Sequence, residues 1–167
     1  MVKLFNIWYF LFILIGAGTV VGLYFLLRNK TDKTKKIVLG CLLGFNLALH
    51  FLKMLFPPYS TNMDHALKNV FFVNICATSA LFFPFIFLSK SKTAKDYMFY
   101  LGVISGALAL LYPTEAINKS LLTFDLWRFY YTHIVIFAVP LLMVLLKLHQ
   151  PNFKRIWKIP FCIMAML

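Results

Sequence analysis

The chain has 167 residues, 62% of them hydrophobic and only 13% charged, with a mean hydropathy of +0.82. A single water-soluble core of this size does not hide so much apolar surface, whereas a bilayer solvates apolar faces directly. The net charge of +12 falls in short clusters between apolar runs and forms no single basic face, which points to membrane loops and away from a nucleic-acid partner.

A helix that crosses the hydrocarbon core needs about 20 mostly apolar residues. Five runs answer to that, at roughly residues 5–27, 37–56, 70–88, 97–112 and 126–146. The first is too long for the apolar part of a signal peptide and no small-residue cleavage site follows it, so it reads as a retained helix. A sixth run begins near Ile159 and is still too short to span at Leu167. It is expected as an incomplete helix, either truncated or ending partway into the membrane. The expected fold is therefore all-α, a polytopic transmembrane helix bundle forming one domain over 1–167, with no soluble domain, fixed-period repeat or low-complexity tract.

The connections set the orientation. Segments 28–36, 89–96 and 147–158 carry five, three and four Lys or Arg, twelve together, while the opposite side has Lys3, Lys68 and Lys119. By the positive-inside rule the basic segments are cytoplasmic. Segments 57–69 and 113–125, which hold Asp64, Glu115 and Asp125, then face outward, as does the N-terminus of a multi-pass protein of the cell membrane. Pro57, Pro58 and Pro113 suit helix exits, because proline cannot continue the hydrogen-bond ladder.

All seven glycines lie in expected helices, and six form pairs at i, i+4: Gly18/Gly22, Gly40/Gly44 and Gly102/Gly106. In lipid that spacing lets helix backbones approach, here as seams within the bundle in preference to a homodimer face; the oligomeric state is left open. Cys41, Cys76 and Cys162 are scattered through apolar runs and give neither a disulfide framework nor a metal-ligand spacing, and no cofactor is expected.

Polar side chains in a spanning helix are costly unless they face the bundle interior, a cavity or an interface. His50 lies six residues from the outward exit of the second helix, about 9 Å at 1.5 Å per residue. Cys76 lies equally deep in the third helix, and His133 about 10 Å deep in the fifth. Asn46, Lys53, Asn74, Ser79 and Arg128 surround that level. Asn46, His50 and Lys53 share one helix face, either as a polar stripe lining a cavity or with Lys53 snorkelling to the surface and the other two bonded to neighbouring helices. Arg128, two residues inside its helix, fits an interfacial anchor or lipid-phosphate contact better than a catalytic group. A lone cysteine in an apolar helix is ordinarily inert packing; a histidine beside it turns the thiol into a nucleophile. Pro84 and Pro140 each free a carbonyl four residues earlier, at Ala80 and Ile136, which kinks the helix around a cavity or is simply tolerated in a membrane helix.

The segment FFVNICATSALFFPFIFL, residues 71–88, resembles the cysteine-centred helix of the YwaF-like integral membrane proteins, a family related to animal transmembrane protein 164. LGVISGALALLYP, 101–113, is similar to its glycine- and alanine-rich helix ending in proline. FDLWRFYYTHIVIFAVPL, 124–141, resembles its aromatic segment with a characteristic histidine. Order and spacing agree, over roughly residues 70 to 148; the first two helices match in character alone. Asn74 and Leu108 depart from the pattern, standing where the family often has histidine and glutamine. The resemblance implies that Cys76 is the family cysteine and His133 the family histidine, positions associated in the animal relative with phospholipid acyl transfer through the cysteine.

Three functions follow as expectations. The first is a thiol-dependent acyltransferase acting on membrane phospholipid, with Cys76 and His133 catalytic and His50, Lys53, Asn74 and Arg128 binding substrate. The second is the substrate-capturing membrane subunit of a small-molecule importer, with His50, Asn74 and His133 gripping a polar ligand. The third is a non-enzymatic membrane protein.

Overall fold

Side-chain caps decide where three of the helices begin. Asn6 accepts a hydrogen bond from the backbone N–H of Tyr9 at 2.9 Å, Thr31 from that of Thr34 at 3.3 Å and Ser91 from that of Ala94 at 3.2 Å, each satisfying an orphan donor of a first turn. The helices in chain order are α1 (Ile7–Leu27), α2 (Asp32–Leu52), α3 (Ile75–Leu88), α4 (Lys92–Leu111) and α5 (Phe124–Leu145). The computed structural model describes residues 1–57, 59–61, 67, 70–71 and 75–158, and among them there is no strand. The start of the expected third span at 72–74, with Asn74, and the expected incomplete helix at 159–167 lie outside the described residues, as do Lys68, Asp64 and Cys162.

α1, α2, α4 and α5 are long and apolar enough to cross a membrane, and the described part of α3 is a shorter apolar helix of 14 residues. Two helices begin five residues earlier than expected. Hydropathy marks where a helix meets hydrocarbon, whereas the caps at Thr31 and Ser91 mark where its backbone starts, and the lysine-rich first turns lie between. α2 continues past Leu52 as a 3-10 turn over Lys53–Leu55, so Lys53 keeps the facing of the helix.

α5 is the hub. Fifteen of its 22 residues are buried, against five of 21 in α1, and α1, α2, α3 and α4 all pack on it. α1 turns the stripe Tyr9, Phe12, Gly16, Val20 and Leu27 inward, at the three- and four-residue steps that share a helix face; Phe12 stacks on Tyr130 with ring centroids 3.8 Å apart. α2 buries Lys35, Leu39, Leu43, Asn46 and His50, so its polar stripe is on the inner face.

The three glycine pairs have different fates. A Cβ on Gly102 would lie 2.7 Å from the Ile136 carbonyl oxygen and 2.9 Å from Pro140 Cγ, and one on Gly106 2.8 to 3.0 Å from Phe137. α4 and α5 therefore touch backbone to backbone there, as the spacing predicts. Pro140 leaves the Ile136 carbonyl without its helical donor, and Gly102 gives that carbonyl room. The other pairs correct the expectation: a Cβ on Gly18, Gly22 or Gly44 would meet nothing within 4 Å, and one on Gly40 would make only ordinary contact with Phe87.

The connections sort to two ends. At one, Val2 exchanges backbone hydrogen bonds with Asn118 and Lys119, and Phe56 stacks on Phe124 at 4.1 Å. At the other, the buried Asp96 carboxylate accepts from His149 Nε2 at 2.8 Å, Asn152 N at 3.3 Å and Arg155 Nη1 at 3.1 Å. That knot ties the segment after α5 to the second turn of α4, and Phe153 lies 5.6 Å from the Tyr100 ring beside it.

Candidate functional site

At the end that carries the N-terminus, α2, α3 and α5 enclose a small polar cavity of about 30 Å³ lined by His50, Lys53, Tyr59, Cys76, Ala77, Glu115, Arg128, Thr132 and His133. Five of the six site residues selected from sequence thus share one cavity; the sixth, Asn74, is outside the described residues. The volume admits a small polar group or a water or two, and no more of a lipid than the group that reacts.

The side chains of α2, α3 and α5 arrive there by helical register. His50 and Lys53 are the last members of the inward stripe of α2. Cys76 sits in the first turn of α3 and is half-buried, while Cys41 is exposed. Thr132 and His133 project from the buried face of α5. Tyr59 comes from a single 3-10 turn, Tyr59–Thr61.

The hydrogen bonds fix both imidazoles. A carbonyl only accepts, so His133 Nδ1–H donates to the Phe129 carbonyl at 2.7 Å, which leaves Nε2 of the neutral ring as an acceptor. His50 is held the other way round, Nε2–H donating to the Val70 carbonyl at 2.9 Å, with Nδ1 as the acceptor. The Ser105 hydroxyl of α4 stands against the Cys76 thiol without a well-formed hydrogen bond. Among the described residues the buried Thr132 Oγ1 has no hydrogen-bond partner, and neither do the buried Asn46 Oδ1 and Ser79 Oγ.

The charges are partly committed. Arg128 donates to Asp125 Oδ1 through Nε at 3.0 Å and through Nη2 at 2.5 Å, and Lys119 pairs with the other carboxylate oxygen. Arg128 is thus pinned, as the expected interfacial anchor would be, and it also lines the cavity. Lys53 Nζ lies 5.4 Å and the Arg128 guanidinium 5.8 Å from the Tyr59 ring centroid, so two cations flank one aromatic ring. Burial raises the pKa of the Tyr59 phenol, with the Arg128 charge opposing, and the hydroxyl stays protonated at neutral pH.

Sequence reasoning missed Tyr59, Glu115 and Thr132. Thr132 adjoins His133, and Glu115 is one of the acids expected to face outward, so depth and charge were available for both. Nothing in the sequence marks Tyr59, whose position depends on how the chain folds back after Pro57.

No curated protein and no solved structure matches the chain. The family model described as the TMEM164 family matches residues 2–167, and so takes in the first two helices as well as the three segments that carried the resemblance. The chain is a multi-pass membrane protein and belongs to the TMEM164 family.

Proposed function

We propose that the protein is a thiol-dependent phospholipid acyltransferase, with Cys76 as acyl carrier and His133 as base. The observation that supports this reading is the common cavity: a thiol and an imidazole whose acceptor nitrogen is left over by the Phe129 bond line the same small space, beside two cations. The thiol proton passes to His133 Nε2 and the sulfur attacks an ester carbonyl. The ester C–O bond then breaks, the leaving lyso-lipid oxygen takes the proton from Nε2, and an acyl-thioester remains on Cys76. In the second half an acceptor hydroxyl gives its proton to Nε2 and attacks the thioester. The C–S bond breaks and the thiolate recovers the proton.

Lys53 and the pinned Arg128 hold the lipid phosphate by charge-assisted contacts. His50 orients the headgroup, and Asn74 joins this set on sequence alone. We place the cavity in the outer leaflet of the cell membrane and the N-terminus outside, on the twelve-to-three distribution of basic residues. At that depth the cavity meets the ester region of a phospholipid, near the headgroup boundary.

The test is intact-mass measurement of purified protein incubated with phospholipid. One hydroxylamine-sensitive fatty acyl adduct is expected, absent from Cys76→Ala and formed about 10²–10⁴-fold more slowly by His133→Ala. A protein that never acquires an adduct while a water-soluble ligand co-purifies with it supports the importer subunit instead.

A further inference from the structure

At the opposite end of the bundle a second groove, of about 710 Å³, runs between α2 and α3. Its volume is within the range of about 300–1,000 Å³ usual for ligand sites. Four lysines converge on its mouth: Lys33 and Lys36 from the first turns of α2, Lys90 from the α3–α4 turn and Lys95 from the first turn of α4. Below them the wall is apolar and opens sideways, through the exposed Gly44 and past Phe87.

Among the described residues no carboxylate lines this groove. Of the acids near this end, Asp32 is paired with Lys35 at 3.3 Å and Asp96 is enclosed by His149, Asn152 and Arg155. Glu115 and Asp125 belong to the other end. Lys36 and Lys95, on different helices, are close enough to repel each other. Like charges gathered without a counter-charge are stabilised by an anion. An apolar floor continuous with that mouth calls for an amphiphile, because a free anion leaves the floor unused. A second copy of the chain does not fit, since the described acids are already engaged or lie at the far end.

We propose that this groove holds an anionic phospholipid of the leaflet on the basic side, with its headgroup among Lys33, Lys36, Lys90 and Lys95 and an acyl chain along Gly44 and Phe87. The site is separate from the Cys76 cavity and does not depend on the acyltransferase reading. Clustered lysines at a membrane surface attract anionic lipid; here the groove fixes where it sits.

The test is native mass spectrometry of the full chain in detergent with phosphatidylglycerol or phosphatidylcholine of equal chain length. Phosphatidylglycerol is expected to be retained about tenfold more than phosphatidylcholine. The Lys36→Gln/Lys95→Gln double variant brings it down to the phosphatidylcholine level, whereas Lys154→Gln, an exposed lysine outside the groove at the same end, leaves it unchanged. Gly44→Leu, with open space for its side chain, fills the floor and lowers retention without altering charge. Equal retention of the two lipids overturns the proposal, and so does equal loss in Lys154→Gln, which would mean diffuse surface attraction. Displacement of phosphatidylglycerol by an equal concentration of inorganic phosphate overturns the lipid assignment.

Discussion

The Asp96 knot and the Cys76 cavity are both polar, both buried and at opposite ends of one bundle, yet they are built on opposite terms. Asp96 receives three donors from the segment after α5, and its charge is answered by Arg155. Around the Cys76 cavity the Thr132 hydroxyl has no partner among the described residues, and Asn46 Oδ1 and Ser79 Oγ are likewise unpaired there. Buried polar groups whose bonds are complete fasten a structure; those held in place with capacity to spare are suited to binding or chemistry. The first arrangement is a fastener and the second has the character of a site.

The largest expected effect falls on the fastener. Asp96→Ala leaves Arg155 and His149 without their carboxylate and should cost about 3–5 kcal/mol, the usual penalty for breaking a buried pair from one side. Thermal unfolding in detergent reads it out. A midpoint equal to that of the unsubstituted protein would erase the distinction between the two ends.

The α4–α5 seam that joins the two regions comes next. Gly106→Leu forces a side chain into Phe137 and should lose about 1–3 kcal/mol or more by overpacking. Gly44→Leu, the matching change in a pair that looks identical in sequence, should leave the midpoint unchanged or slightly raised. Equal losses in the two variants would return both pairs to the status of seams.

The smallest effect belongs to the cavity. Thr132→Val removes a buried hydroxyl that has no partner among the described residues and should change stability by less than about 1 kcal/mol, with a gain as the expected sign, because an unmade hydrogen bond is a cost and not an asset. A loss approaching that of Asp96→Ala would show that Thr132 belongs to a completed network, and the contrast between the ends would fail.

Much of this was legible in the chain and some was not, for definite reasons. Apolar run length gave the spanning helices, and counting residues from each helix end expected to face outward put His50, Cys76 and His133 at one level, because a helix rises by a fixed step. That counting needs no knowledge of tertiary contacts. Which faces meet does, so Gly40/Gly44 and Gly102/Gly106 were indistinguishable until the partner helices were in place. Asp96 was counted with a connecting segment, since charge suggests loop, whereas it lies in the first turns of α4 and is among the most buried residues of the chain. Tyr59 was invisible for a related reason: a residue in a connection reaches a site by the path of the chain and not by any periodicity.

The central position of α5 sets an order of assembly. α1 packs chiefly on α5, yet Leu27 is added to the growing chain 97 residues before Phe124, positions read from the helix limits. At about 5–20 residues per second that is an interval of roughly five to twenty seconds, during which α1 waits in lipid without its main partner. Its sequence suits the wait, with no ionisable side chain except tyrosine phenols between Ile7 and Leu27. α5 carries four costly groups, Asp125, Arg128, Thr132 and His133, and it is made after α1 to α4 are available to receive them. The helix that brings His133 to the cavity is therefore the last of the five described helices to be made, so Cys76 and His133 come to line one space only after α1 to α4 exist.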